Sequence, residues 1–159
     1  MAHRWWRLIP AAAAVGADAA SKAWARAALG HAGVVWPWRP WLSLQLLYNS
    51  GATLGVGAAH EPWITAFSAV AVAVLVVLAV RSERGGIGLA LMLGGAAGNL
   101  VSRLSQGAVT DFIRVWFWPG IFNLADVFLR VGALVLLVSL FRAEHRRGRR
   151  PSPGAMDGS

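Results

Sequence analysis

Two aspartates, Asp111 and Asp126, lie beside long apolar segments in a chain that has only seven acidic residues among 159. A carboxylate next to hydrocarbon is costly, so such an acid marks a functional site by default. Two carboxylates held close together do not both ionise easily, and the pair retains one proton. The ionised member can activate a water, and the protonated member can donate to the carbonyl or the leaving amine. The pair therefore predicts aspartic-protease chemistry.

Other hydrolytic chemistries have less support in this sequence. The chain has no cysteine, which excludes thiol nucleophiles, thiolate metal sites and disulfides. Its four histidines, His3, His31, His60 and His145, lie in the termini or in predicted connections, so a His-based triad or a zinc site is poorly supported. We therefore predict a site that uses no metal and no cofactor.

Each aspartate also has a structural interpretation. An Asp at a helix start, such as Asp126, is usually an N-cap, and an Asp in a turn, such as Asp111, is more often structural. Their polar neighbours favour a joint catalytic role. Asn123 shares a helix face with Asp126 at i, i+3, and Asn99 shares one with Arg103 at i, i+4.

The composition indicates an integral membrane protein of one domain. The chain is 57% apolar and 14% charged, whereas a soluble domain is about 45–50% apolar and about 25% charged. A net charge of +8 is compatible with nucleic-acid binding. The arginines flank the apolar blocks, however, so membrane topology explains the charge better and no nucleic-acid partner is predicted.

The elements that must position the two acids are apolar blocks of about bilayer length. We predict an all-α fold of four transmembrane helices with a small extracytoplasmic β-like cradle. The domain covers residues 1–142, and a basic, disordered cytoplasmic tail covers 143–159. The predicted spans are residues 8–29, 62–80, 87–104 and 121–141.

The first span has an alternative interpretation as a signal peptide, because arginines precede an Ala-rich apolar run. The charged residues Asp18, Lys22 and Arg26 favour a retained helix, since their i, i+4, i+8 spacing places them on one helix face. Residues 34–48 do not form a span. The alternation from Trp41 to Leu46 predicts a short strand against the outer membrane surface.

Basic residues near the helix ends predict the orientation. Arg4 and Arg7 precede the first span, Arg81 and Arg84 lie between the second and third, and five arginines follow the fourth. The two other connections are poorer in basic residues. Both termini are therefore predicted in the cytoplasm, and the two aspartates at the outer face.

Four short motifs occur in order along the chain. They are Asp18-Ala-Ala-Ser-Lys22; Tyr48-Asn49-Ser50-Gly51-Ala52; Gly94-Gly95-Ala96-Ala97-Gly98-Asn99 with Arg103 and Val109-Thr110-Asp111-Phe112-Ile113; and Phe122-Asn123-Leu124-Ala125-Asp126. Together they resemble the lipoprotein signal peptidases, the signal peptidase II family, over roughly residues 10–140. Any one motif is weak, whereas four in this order are highly specific.

The resemblance implies a membrane aspartic endopeptidase of the bacterial cytoplasmic membrane. Such an enzyme cleaves the signal peptide from a prolipoprotein just before a cysteine that already carries diacylglycerol. It implies a retained first helix, an outer cradle over residues 36–58 and contact with membrane phospholipid, and a monomer is favoured. Asp111 and Asp126 are the implied catalytic dyad. Substrate or dyad positioning is implied for Asn49, Gly51, Asn99, Arg103 and Asn123, with Asp18 and Lys22 in support.

The sequence departs from the family pattern or adds to it at two positions. Ser102 stands before Arg103 where the family has an aspartate, so an ion pair made there is lost, and we expect tuning rather than inactivity. Arg130 lies one helical turn after Asp126, where it could snorkel to the interface or pair with an acid. Which aspartate is base and which is acid stays open.

Two competing functions remain. A small transporter or proton-relay subunit also uses intramembrane carboxylates, but it predicts acids near mid-membrane. An inactive homologue that binds lipoproteins without cutting them has Ser102 as its only support.

Overall fold

The computed structural model describes residues 2–31, 33–51, 61–82 and 85–148. A 3-10 helix, Ala2–Arg7, leads into the first of four α-helices. These are α1 (Leu8–Leu29), α2 (Glu61–Arg81), α3 (Gly86–Gln106) and α4 (Leu124–Gly148). Four strands complete the described fold, β1 (Val35–Trp38), β2 (Leu42–Asn49), β3 (Val109–Val115) and β4 (Ile121–Phe122).

Three of the described helices are long and apolar enough to cross a membrane, namely Pro62–Arg81, Gly86–Gln106 and Leu124–Arg146. The predicted mostly helical membrane fold is therefore confirmed. α1 is a fourth helix with the bounds that the sequence predicts, but it buries Asp18 and Lys22 within its length.

The strands form one antiparallel sheet in the order β1-β2-β3-β4. The strand predicted from Trp41 to Leu46 is confirmed from Leu42 onward, since Trp41 lies in the preceding turn and β2 continues to Asn49. The placement of Asp111 in a turn is wrong, because it lies inside β3, where its Cα partner is Leu47 of β2. Pairing with β2 and β4 supplies hydrogen-bond partners that the local sequence does not show.

The fourth helix differs from its predicted bounds at both ends. It begins at Leu124 rather than residue 121, because Ile121 and Phe122 pair with β3. It continues to Gly148, so part of the predicted disordered tail is helical. The remaining tail, 149–159, and the cradle residues 52–60 lie outside the described residues.

α3 lies at the centre of the fold, where it packs against α1, α2 and α4. Small residues permit this close approach, as they do in other membrane helices. A Cβ on Gly95 would meet the backbone oxygen of Ala125 and would lie 3.0 Å from the backbone nitrogen of Leu129, both in α4. Gly95 therefore lies where a larger side chain would push α3 away from α4.

The turn after α3 leads into β3, the strand that carries Asp111. Gly107 adopts a left-handed φ of 71°, and its N–H donates to the carbonyl oxygen of Arg103 at 2.9 Å. A glycine in this conformation ends a helix at little steric cost. β3 then packs over the end of α1, where Phe112 joins a buried cluster with Ala25 and Leu29.

Candidate active site

Asn123 joins the two aspartates that the sequence singles out. Its Nδ2 donates to Oδ1 of Asp111 at 2.6 Å, and its backbone N–H donates to Oδ2 of Asp126 at 3.2 Å. In return, its Oδ1 accepts from the backbone N–H of Asp126 at 3.1 Å. The reciprocal bonds between residues N-cap and N3 are those of a capping box. Asn123 is thus the N-cap of α4, and it holds the two carboxylates in one fixed arrangement.

A second amide serves each carboxylate. Asn49 Nδ2 donates to Oδ2 of Asp111 at 3.0 Å, and Asn99 Nδ2 donates to Oδ1 of Asp126 at 2.9 Å. Each of the four carboxylate oxygens therefore accepts one described N–H. Three asparagines that the sequence places in different motifs converge on the aspartates from β2, α3 and the start of α4.

Gly51 and Arg103 hold the Asn49 side of the site. The backbone N–H of Gly51 donates to Oδ1 of Asn49 at 3.0 Å, which fixes the orientation of that amide. Arg103 donates from Nη2 to the carbonyl oxygen of Gly51 at 3.1 Å. This contact lets Arg103 set the end of β2 and, through it, the donor to Asp111.

Asp18 and Lys22 form a buried ion pair behind the site. Lys22 Nζ lies 2.7 Å from Oδ2 of Asp18, and the side chains are 2% and 1% exposed. The ammonium also donates to Oδ1 of Asn99 at 2.9 Å and to Oγ of Ser102 at 3.0 Å. Asp18 Oδ1 accepts the backbone N–H of Ala125 at 2.9 Å. Asp18 and Lys22 thus share one face of α1, as their spacing predicts, and the pair contacts the residue before Asp126.

The two aspartates have different surroundings. Asp111 is 2% exposed, whereas Asp126 is only partly buried and lies in the first turn of α4. Burial raises the pKa of Asp111 to about 6, and the negative charge of Asp126 adds to the rise. Hydrogen bonds from Asn49 and Asn123 and the positive charge of Lys22 oppose it. Asp111 therefore keeps its proton to a higher pH than an ordinary aspartate does.

Both aspartates line a cavity of about 770 Å³ between α2, α3 and α4. Cavities of this size accommodate drug-sized ligands. Five of its polar lining residues belong to the hydrogen-bond network around the two carboxylates, and most of the remaining lining is apolar. Its polar lining includes Asn49, Asn99, Arg103, Asp111, Asn123 and Asp126, and its apolar lining includes Trp63, Ile64, Phe67, Val74, Leu75 and Leu129.

The apolar wall was not identified as part of the site from the sequence. Trp63 and Phe67 belong to a run that signals only a membrane span, and their one available sign was the four-residue spacing, which places them on one helix face. Arg130 also lines the cavity. Its guanidinium lies 4.8 Å from the ring centroid of Trp118 and 5.3 Å from that of Phe122, a cation–π arrangement.

Comparisons with known proteins identify the family to which the chain belongs. A family described as signal peptidase (SPase) II matches residues 10–142. A lipoprotein signal peptidase of Ectopseudomonas mendocina is 40% identical over 114 residues, which cover 62% of this chain and 66% of that protein. One of Pseudomonas fluorescens is 42% identical over 117 residues, which cover 65% and 68%. The chain thus spans about two thirds of the length of these relatives.

Two solved structures share the fold. Both are described as bacterial membrane enzymes studied by the in meso method. The first has a TM-score of 0.79 at 21% identity and covers 92% of this chain and 93% of its own. The second has a TM-score of 0.75 at 22% identity and covers 86% and 92%. With the family match over most of its length, the chain belongs to the signal peptidase II family, as its four motifs predict.

Proposed function

We propose that this protein removes the signal peptide from diacylglyceryl-modified prolipoproteins by cleaving the bond before the lipid-modified cysteine. One observation carries the proposal: Asn123 bridges two carboxylates that both line an otherwise largely apolar cavity. Membership of the family and the names of the curated relatives support the substrate class. Asp111 and Asp126 are the catalytic residues in this proposal.

The surroundings of the dyad support a division of labour. Asp126 lies in the first turn of α4, where it accepts Nδ2 of Asn99 and the backbone N–H of Asn123, and in this proposal it is the general base. It takes a proton from the attacking water, whose oxygen bonds to the scissile carbonyl carbon. Asp111, with its raised pKa, protonates the departing amine as the C–N bond breaks. The products are a new carboxyl group on the signal peptide and a new amino group on the lipid-modified cysteine.

The apolar cavity wall supports a lipid-bearing substrate. Each buried CH₂ of an acyl chain contributes about 0.8 kcal/mol to membrane attachment, so the modified precursor is held beside the site by hydrocarbon. We expect the unmodified precursor to be cleaved with a kcat/KM at least about a hundredfold lower, which needs only about 2.7 kcal/mol. Parallel assays of the two precursors in lipid vesicles measure this ratio. Equal kcat/KM values for the two precursors would show that the enzyme does not recognise the lipid.

The raised pKa of Asp111 predicts a pH dependence. A general acid must carry its proton, so kcat/KM falls as the pH rises through about 6. Asn49→Leu removes a donor that stabilises the ionised form of Asp111, so the pKa of Asp111 rises further and the alkaline limb moves to higher pH. Rate profiles of wild type and variant measure the shift.

Gln45→Leu on the same strand provides the control, because no described hydrogen bond joins Gln45 to the dyad. Its alkaline limb is expected to coincide with that of the wild type. A limb that moves to lower pH in Asn49→Leu contradicts the assignment of Asp111 as the acid.

We also propose that all four helices cross the bacterial cytoplasmic membrane, with both termini inside and the dyad outside. The arginine distribution supports this orientation. α1 supports the fourth crossing, because its charges Asp18 and Lys22 are buried against α3 rather than facing outward. A reporter fused after Gly154 is expected to register the cytoplasm, and an external signal overturns the orientation.

A monomer within phospholipid is the proposed working form, because each oxygen of the two carboxylates already accepts an N–H from the same chain. Cross-linking in vesicles tests it, and a dimer required for activity contradicts it.

A further inference from the structure

The buried ammonium of Lys22 donates to three described oxygen atoms. They are Asp18 Oδ2, Asn99 Oδ1 and Ser102 Oγ at 2.7, 2.9 and 3.0 Å. An ammonium only donates. Its three protons are therefore matched by three oxygens, and Lys22 imposes the identity of the Asn99 atom that faces it.

This constraint determines what Asn99 presents to the dyad. With Oδ1 held by Lys22, Nδ2 lies on the other side of the amide, 2.9 Å from Oδ1 of Asp126. The reversed amide would place its NH₂ against the ammonium and its oxygen against the carboxylate. Both contacts are unfavourable, since neither pair contains a donor and an acceptor. Lys22 thereby guarantees a hydrogen-bond donor to Asp126.

The ion pair reaches Asp126 by a second route. Asp18 Oδ1 accepts the backbone N–H of Ala125 at 2.9 Å, which anchors the first turn of α4. A Cβ at Gly98 would lie 2.6 Å from Asp18 Oδ2, so α3 leaves this carboxylate little room to move. One buried pair thus fixes both the amide facing Asp126 and the backbone that carries it.

We infer that the Asp18–Lys22 pair is a positioning device for the reaction, which acts on Asp126 through the locked amide of Asn99. The inference rests on the proposed function, because it assigns a role within that dyad. Neither Asp18 nor Lys22 has a described hydrogen bond to a catalytic side chain. Their effect is therefore transmitted entirely through neighbours, Asn99 and Ala125.

Ser102 gives this device a feature specific to the chain. Where the family pattern has an aspartate, a neutral hydroxyl accepts from Lys22. Asp18 is consequently the one carboxylate that forms a described ion pair with Lys22. Ser102 supplies the third acceptor without competing for the charge, so Asn99 receives its hydrogen bond from an ammonium with a single ionic partner.

A kinetic cycle tests the inference. Lys22→Met alone would leave Asp18 charged and unpaired in the interior, which threatens the fold. Asp18→Asn/Lys22→Met removes both charges and retains an oxygen for the Ala125 N–H. The cycle comprises this pair, Asn99→Ala and the triple variant, assayed for kcat and KM on the modified precursor, with thermal unfolding measured in parallel.

We expect the charge-free pair to lower kcat by about 10–100-fold, as removal of supporting partners does in other sites, and to leave KM within about threefold. Asn99→Ala is expected to cost a similar factor. Since the pair acts mainly through Asn99, the triple variant should be no more than about threefold slower than the slower parent. Ser102→Ala, which removes one bond of Lys22 and no charge, should lower kcat by less than about threefold.

Three results overturn the inference. If the fold-losses in kcat of the two parent variants multiply in the triple variant, the ion pair and Asn99 act on the reaction independently. If the Asp18→Asn/Lys22→Met variant has the wild-type kcat, the ion pair has no role in positioning. If this variant does not fold, the ion pair is required for the structure and not for the reaction. Failure of the proposed function is distinguishable, since it appears as cleavage by Asp111→Asn or Asp126→Asn, or as no cleavage by wild type.

Discussion

Asp111→Asn and Asp126→Asn are each expected to lower kcat by at least about 10²–10⁴-fold, the range for losing a general acid or base. An amide cannot take a proton from water or supply one to an amine as a carboxyl group does. The substitutions nearly preserve size. At position 126 the amide oxygen can still accept the backbone N–H of Asn123, so the capping of α4 is retained.

The assay is cleavage of the modified precursor by purified variants with a thermal unfolding curve for each. Glu144→Gln is the matched control, because it makes the same chemical change at an exposed position of α4 outside the cavity. It should retain the wild-type rate. Cleavage by either dyad variant at close to the wild-type rate would contradict the assignment of Asp111 and Asp126 as the catalytic pair.

Gly95→Ala is expected to destabilise the protein by about 1–3 kcal/mol, the usual cost of overpacking a close contact. The added methyl group would meet the backbone oxygen of Ala125 and lie 3.0 Å from the backbone nitrogen of Leu129. Backbone atoms do not rotate away, so α3 and α4 must separate. Because Asp126 follows Ala125, the separation should also lengthen the hydrogen bond from Asn99 and lower kcat.

Gly16→Ala provides the comparison for this variant. Gly16 is exposed in α1, and a Cβ there would meet nothing within 4 Å. The same chemical change should therefore cause no loss of stability, and helix propensity favours alanine by roughly 0.5–1 kcal/mol. Unfolding midpoints in one detergent measure both. Equal stability of the two variants would contradict the close packing of α3 on α4.

The sequence predicts the helical part of the fold well, because a helix that crosses a bilayer needs an apolar segment of about 20 residues, which is visible in the sequence. α1 has its predicted bounds, and α2 and α3 match within two residues at each end. The start of α4 is displaced because Ile121 and Phe122 are apolar in a strand as well as in a helix. Their pairing with β3 depends on residues distant in sequence, which no local pattern reveals.

The sequence selects the residues of the candidate site, but it specifies few of the contacts among them. The shared face of Asn99 and Arg103 follows from helix periodicity, whereas Asn123 contacts Asp126 as the N-cap of α4 and not as a helical neighbour. The strand position of Asp111 depends on tertiary structure and was missed.

The two positions that the sequence leaves open both acquire partners from other elements. Ser102 accepts from Lys22 of α1, and Arg130 lies over the rings of Trp118 and Phe122. Neither of the two interpretations offered for Arg130 included this stacking. Such contacts depend on how helices and strands meet, so a single sequence does not specify them. The family membership, in contrast, is confirmed because its motifs are local and ordered.

The most direct test of the central claim is a single-turnover reaction in ¹⁸O-labelled water. Purified protein is mixed with the diacylglyceryl-modified precursor, and the masses of the products are measured by mass spectrometry. Water activated by the dyad predicts two fragments divided before the modified cysteine, one ¹⁸O in the new carboxyl group of the signal peptide, and no covalent enzyme adduct. Intact precursor bound tightly to the wild-type protein, or an acyl group trapped on the enzyme, would contradict the account.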